Sequence, residues 1–342
     1  MKKIALLKLN ELYKELSSNK ELFLPIKKAG CLNFFKYEDG AEVDIQTLQT
    51  VKSAKDLFFP QSEDFMNFKT SGKTIEIEDT RVKKDEFIIF GVRACDLKSF
   101  EVLDKAFLKD PCDSMYKDKR DNAVIFTHAC NNPETSCFCK VFGIDASAPQ
   151  GDVETYSDSE YLYLDAKTEK GKRIIDSLTC LEDADCQDKV DEIKKDIQTK
   201  IDNLAYSSLS LDVFKEQELM QLFNNPKWEE LSKACLGCGT CTFVCPTCQC
   251  FDIRDFKTND GVKRFRCWDS CMYSDFTKMA AENPRTTQMQ RYRQRFMHKL
   301  FYFPENNDGM FSCVGCGRCV KKCPQALNII KVIKAIGGKN ND

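Results

Sequence analysis

Eight cysteines in two copies of one spacing constrain this chain more than any other feature. Cys235-Leu-Gly-Cys238-Gly-Thr-Cys241-Thr-Phe-Val-Cys245-Pro246 recurs as Cys313-Val-Gly-Cys316-Gly-Arg-Cys319-Val-Lys-Lys-Cys323-Pro324. Each copy sets three thiols at intervals of three residues and a fourth four residues further on, directly before proline, which is the spacing that holds paired 4Fe-4S clusters. Glycine at positions 237, 239, 315 and 317, where a side chain would crowd a cubane, lets a short loop wrap three of its corners. Proline suits the first turn of a helix, so Cys245 and Cys323 are expected at helix starts, each pointing toward the other copy's cluster. The expected sets are therefore Cys235, Cys238, Cys241 with Cys323, and Cys313, Cys316, Cys319 with Cys245.

Zinc needs only two Cys-x-x-Cys pairs for a tetrahedral site, and a repeated triplet plus Cys-Pro exceeds that need. Disulfides fail on compartment. The first residues begin like a secretory signal, but Lys8, Glu11, Lys14 and Glu15 interrupt any apolar core, so the chain reads as cytoplasmic and its 20 cysteines as metal-binding rather than cross-linking. A net charge of −2 makes no electrostatic case for nucleic acid or an anionic membrane. Nor does any apolar run approach a membrane span.

The 342 residues suit two domains. Leu9, Leu12, Tyr13 and Leu16 fall at helical intervals, and strands are expected at Glu21 to Ile26, Cys31 to Tyr37 and Thr74 to Glu78. Phe87 to Val92 and Ala123 to Phe126 are unbroken apolar runs, as in the centre of a sheet covered on both faces. Leu97, Phe100, Leu103 and Phe107 place a helix between them, giving a strand, helix, strand unit, and Tyr161 to Leu164 adds another strand. From Asp185 a charged helix follows with Val190, Ile193, Ile197, Ile201 and Leu204 on one face, and helices through 211–223 and 227–233 lead to the first cysteine run. The fold class expected is α+β: an α/β domain over residues 1–205, then an all-helical two-cluster domain over 206–342, with helices filling the 68 positions between the runs (313 − 245). In that interval Arg291, Arg293, Arg295, His298 and Lys299 form a basic, aromatic stretch. Cations there would offset the negative charge of a thiolate-bound cluster and raise its potential.

Twelve cysteines remain outside the two runs (20 − 8). Cys95 follows one predicted strand, and Cys130, Cys137 and Cys139 follow another, so loops at one end of a sheet would bring four thiols together for a third 4Fe-4S cluster. Asp96 as a cap would place Cys95 at a helix start, where a thiolate is favoured. Buried thiols acting as small hydrophobes are the alternative, and the Cys137-Phe-Cys139 spacing is tight for two corners of a cubane. Cys248, Cys250, Cys267 and Cys271 form a further group, either ligating another site or lining the clusters. Cys31, Cys112, Cys180 and Cys186 have no grouping.

Cys245-Pro-Thr-Cys248-Gln-Cys250, Trp268-Asp-Ser-Cys271, Arg291-x-Arg-x-Arg295 and the second run, with Phe90-Gly-Val-Arg-Ala-Cys95-Asp96 and Cys137-Phe-Cys139, resemble the family containing sulfhydrogenase beta subunits and the A subunits of anaerobic sulfite reductases. The resemblance covers most of the chain, though residues 140–225 carry no matching motif. It implies a ferredoxin-type electron carrier between a flavin- and NAD(P)-binding subunit and a terminal catalytic subunit, a siroheme sulfite reductase or a nickel-iron hydrogenase. The residues agree. No Gly-x-Gly-x-x-Gly follows a strand, no P-loop is present, and His128 and His298 have no partners for acid–base or nucleophilic catalysis, so no catalytic residue is expected. A stand-alone reductase of the heterodisulfide or glycolate-oxidase type is the other reading, and the absence of any Cys-Cys pair counts against it.

Overall fold

A computed structural model describes residues 1–47, 50–259 and 261–337. The strands are β1 (Lys2–Ala5), β2 (Glu21–Lys28), β3 (Cys31–Lys36), β4 (Ser62–Ser71), β5 (Thr74–Asp79), β6 (Phe87–Val92), β7 (Ala123–His128), β8 (Val153–Ser157), β9 (Tyr161–Ala166), β10 (Glu182–Asp183), β11 (Phe251–Thr258) and β12 (Gly261–Trp268). Eight of them form one mixed sheet in the order β10-β1-β9-β8-β7-β6-β2-β3. Its centre is parallel, β2 to β6, β6 to β7 and β7 to β8, and the flanking pairs are antiparallel. Every residue of β6 and β7 is buried, as their unbroken apolar sequences require.

The helix Ala94–Phe107 connects β6 to the next parallel strand and packs Phe100, Leu103 and Phe107 into an aromatic layer with Phe58, Phe87 and Tyr116. On the opposite face Leu12, Tyr13 and Leu16 of the helix Leu9–Ser17 meet Leu24, Ile88 and Phe90. The chain begins in β1, which pairs with β9 on one side and the short β10 on the other, before that helix. Because parallel neighbours end at the same edge, β6 delivers Arg93, Ala94 and Cys95, and β7 delivers Ala129 and Cys130, to one side of the sheet.

The region between the cysteine runs is not all-helical. Residues 251–268 form the hairpin β11–β12, paired from Phe251–Trp268 to Thr258–Gly261. Two runs of strand formers separated by Asn259-Asp260-Gly261 carry a local turn signal that outweighs the expectation of helices. β12 then pairs with β4, so the second sheet, β11-β12-β4-β5, takes two strands from each side of residue 205. The Trp268 indole N–H donates to the Phe59 carbonyl at 3.0 Å, and the buried Arg266 guanidinium reaches Glu63 and Asp113. Beyond the hairpin the helical part packs Trp228, Tyr292, Phe296, Leu300 and the helix Ile329–Ile336 into one core.

Candidate metal centre

In both runs the helical turn lies inside the motif rather than after the proline. Gly239 and Gly317, at φ 72° and 74°, precede the short helices Thr240–Phe243 and Arg318–Lys322. Pro246 and Pro324 start turns instead of helices. After Pro246 the chain is tied down by the Thr247 hydroxyl, which donates to the Ser312 carbonyl at 2.8 Å, and it continues into β11. After Pro324 the next helix waits for Asn328, whose side chain accepts from the Ile330 and Lys331 amides.

The glycines are required by neighbouring loops. A Cβ on Gly315 would lie 2.4 Å from the Phe138 carbonyl oxygen, and one on Gly317 2.5 Å from that of Ser136. Both also sit at positive φ, as do Gly237 and Gly239.

Cys235, Cys238 and Cys241 of the first run share one cavity with Cys323 of the second. Met272, Tyr292, Phe296 and Leu327 supply an apolar wall. The Gln288 amide donates to Cys235 Sγ at 3.4 Å and the Leu327 amide to Cys323 Sγ at 3.3 Å. In the second run, Cys313, Cys316 and Cys319 each have Cys245 among their electrostatic neighbours. Burial pushes Cys316 up to about 12 and raises Cys313 further. A desolvated thiolate there needs a positive partner, which ligated iron supplies.

Of the basic stretch, Arg295 and Lys299 turn inward and are each 2% exposed. Lys299 Nζ donates to Thr247 Oγ1 at 2.8 Å and to the Ser312 carbonyl at 2.9 Å. Burial opposes its charge, but Cys245 and Cys248 outweigh that and raise its pKa. Arg291 instead bonds Gln288 and the Arg285 carbonyl, and Arg293 stacks on Phe223. Burial lowers the His298 pKa to about 4, so this ring is a neutral group.

Lys55 had no signal in the sequence. Its ammonium lies 3.5 Å from the centre of the Trp268 ring and donates to the carbonyls of Cys245 and Cys248 at 3.2 and 2.9 Å. Burial pushes its pKa down to about 8.

Cys95, Cys130, Cys137 and Cys139 also meet in one cavity, and Gly315, Cys316 and Arg318 of the second run form part of its wall. The tight Cys137-Phe-Cys139 spacing is accommodated because Phe138 leaves extended geometry at φ −154°, ψ 35° and Cys139 opens a 3-10 turn. Phe138 itself inserts into the helical core, and its amide donates to the Gly315 carbonyl at 2.9 Å. Cys95 does sit at a helix start, but Asp96 caps nothing. Its carboxylate forms a buried two-pronged pair with Arg318, one arm at 2.7 Å. Burial, then Asp96 and Cys316, raises the Cys95 pKa rather than favouring its thiolate, and burial pushes Cys130 up to about 11.

Two observations test whether these residues fit a cluster. Arg295 donates through Nη2 to the Cys241 carbonyl at 2.9 Å, yet among the described residues its Nε and Nη1, and the Tyr292 hydroxyl, are buried without a partner. Tyr292 and Arg295 both line the first cavity, so these donors are placed where cluster sulfur would accept. Further, no group of three or more His, Cys, Asp or Glu among the described residues is placed to hold a single metal ion.

Residues 234–327, which contain both runs, match the 4Fe-4S dicluster domain family. The chain is similar to Sulfhydrogenase 2 subunit beta of Pyrococcus furiosus, at 29% identity over 335 residues that cover 95% of each protein. No solved structure matches it. No helix among the described residues is long and apolar enough to cross a membrane.

Proposed function

We propose that the chain is an iron–sulfur relay subunit of a cytoplasmic oxidoreductase complex, with 4Fe-4S clusters on Cys235, Cys238, Cys241 and Cys323, on Cys313, Cys316, Cys319 and Cys245, and on Cys95, Cys130, Cys137 and Cys139. The observation that carries this reading is the single cavity wall that joins Cys323 to the first run, since crossed ligation is the hallmark of a two-cluster carrier. A bound 4Fe-4S cluster supplies one-electron exchange at a potential set by its surroundings. The protein's own residues supply those surroundings: Gln288 and Leu327 donate to ligand sulfurs, Arg295 and Lys299 place buried positive charge, and Phe296, Met272 and Leu300 exclude water.

The first set adjoins the second, and the second adjoins the third. Arg295 faces Cys241 of the first set and both Cys245 and Cys319 of the second, and Cys316 of the second lines the cavity of the third. Cys238 is exposed and Leu236 beside it is 65% exposed, so the first set offers the end at which a partner can approach. Since the related Pyrococcus protein is a sulfhydrogenase subunit, the partners proposed are a flavin- and NAD(P)-binding subunit and a terminal subunit, a nickel-iron hydrogenase or a siroheme sulfite reductase. Twenty free thiols suit a reducing compartment. The test is anaerobic NAD(P)H-dependent dye reduction. The isolated chain should accept electrons from a strong artificial reductant but oxidise NAD(P)H only after the flavin subunit is added. Turnover by the chain alone, with stoichiometric bound flavin, would replace the relay by a flavoenzyme.

A further inference from the structure

Two buried lysines, one from each half of the chain, meet the turn from Cys245 to Cys248. Lys55 lies in the 3-10 turn Ala54–Leu57, and the Ser53 hydroxyl before that turn accepts from the Lys55 amide at 3.2 Å. Its ammonium donates to the Cys245 and Cys248 carbonyls at 3.2 and 2.9 Å and stands over the Trp268 ring. Lys299 donates to Thr247 Oγ1 and to the Ser312 carbonyl, and Thr247 Oγ1 lies 3.3 Å from Cys245 Sγ. Among the described residues neither lysine pairs with a carboxylate. Asp56, next to Lys55 in the chain, pairs with Lys52 instead. Arg318 differs, because Asp96 compensates it. A buried cation without a counter-charge is costly, so Lys55 and Lys299 call for negative charge beside the turn. Cys245 and Cys313, the residue after Ser312, are the ligands placed there.

We propose that Lys55 sets the reduction potential of the second cluster and, with Lys299, removes the barrier that burial would place in the middle of the relay. This rests on the relay reading and adds to it how an electron crosses the enclosed step. Reduction puts one more negative charge on a cluster, and charge added away from water is unfavourable unless a cation faces it. The second set is more enclosed than the first, since Cys316 is buried and Cys238 is exposed. Without compensation the second cluster would therefore be harder to reduce than the first. A unit charge about 8 Å from a second charge, at an effective dielectric near 20, changes a one-electron equilibrium about thirtyfold. That is enough to level such a step. No bond is made or broken, and each transfer oxidises one cluster by the electron that the next one gains. Lys55 is thus a positioning residue for charge, supplied to the second run by the first half of the chain.

The experiment is an anaerobic redox titration of the purified full-length chain followed by electron paramagnetic resonance, with the signals assigned through Cys238→Ser and Cys313→Ser. Lys55→Gln keeps an N–H donor for the two carbonyls and removes the charge. It should retain the wild-type iron content and make the second cluster about thirtyfold harder to reduce, a fall of about 90 mV, while the first cluster moves by less than half as much. Lys55→Arg, which keeps the charge, should leave the second cluster within about threefold of wild type. An unmoved second cluster in Lys55→Gln, or an equal fall in Lys55→Arg, overturns the proposal. So does a loss of about four irons per chain in Lys55→Gln, because Lys55 would then hold the turn rather than tune the cluster. Should neither variant fold, the wild type decides. A second cluster more than about tenfold harder to reduce than the first overturns the proposal, and one reduced as easily or within that margin bears it out. A wild-type chain without iron would instead sink the relay reading itself, which an iron-replete chain whose potentials ignore Lys55 would not.

Discussion

Replacing Arg295 with methionine removes a buried charge while keeping an unbranched stem of similar reach. The guanidinium is 2% exposed and has Cys241 of the first set and Cys319 and Cys245 of the second as electrostatic neighbours. A unit charge about 6 Å from a second charge, at an effective dielectric near 20, interacts by about 2.8 kcal/mol. With 59 mV equal to a tenfold change for one electron, that is roughly 120 mV. Reduction adds negative charge, so losing the cation lowers the potential, and losing the Nε and Nη1 donors acts in the same direction. Arg295→Met should therefore shift both clusters downward by about 100 mV, read by redox titration followed by electron paramagnetic resonance. Arg295→Lys, which keeps the charge but loses the planar fork, should move them by less than half as much. Potentials within ~20 mV of wild type in a variant with full iron content would refute the electrostatic reasoning. A shift confined to one cluster would refute the placement of Arg295 between the two.

Cys323→Ser should damage the cluster of Cys235, Cys238 and Cys241 and spare that of Cys313, Cys316 and Cys319, and spectroscopy showing the reverse would disprove the crossing. Iron content should be about twelve per chain, and about eight would remove the third cluster. Asp96→Asn should cost about 3–5 kcal/mol, because it leaves the Arg318 charge buried and uncompensated, and should lower the Tm, whereas an unchanged Tm would mean the pair is dispensable. Both histidines are held neutral, His298 at about 4 by burial, then Lys299 and Arg285, and His128 well below its usual value by burial, then Arg93. The unfolded chain binds these protons from about pH 6.5 downward, so stability is complete above that and falls as pH drops, by about 1.4 kcal/mol per unit for each ring. His298→Phe should lose about 1 kcal/mol less than wild type between pH 7 and 5.5 in denaturant titrations, and an equal loss would contradict the assignment.

The cysteine runs were legible because ligand spacing is local chemistry, and so were β6 and β7, whose sequences are apolar throughout. The convergence of Cys95 with Cys130 was legible too, since it follows from two parallel strands ending at one edge. The hairpin β11–β12 was missed although Asn259-Asp260-Gly261 announced a turn. Its first strand is mostly exposed and both strands are rich in charge, so the apolar alternation that marks a strand is not sustained along either. The Asp96–Arg318 pair joins positions 222 residues apart, and Lys55 reaches Cys248 across 193, distances over which one sequence carries no pairing signal. Expecting helices at Pro246 and Pro324 failed because proline tolerates a helix start without compelling one, and a capping residue such as Asn328 decides where the helix begins.

The hairpin also explains why the two halves of the chain hold their thiol sets in a fixed relation. β12 is hydrogen-bonded to β4, Trp268 stacks on Phe59, and Lys55 from the first half fastens the turn that carries Cys245 and Cys248. Beside the second run, the Phe138 amide bonds Gly315, and the 136–139 loop lies so close to Gly315 and Gly317 that no side chain fits there. Arg318 then fixes the second run to Asp96 and to the Thr50 carbonyl at 2.9 Å. Each junction joins backbone or buried charge from one half to the other. The glycines within the second run are therefore constrained from two sides, by their own positive-φ turn and by the loop that carries Cys137 and Cys139. Shared walls of this kind require the second and third sets to be built together, so the third set is part of the same folded unit as the two runs rather than an appendage of the first half.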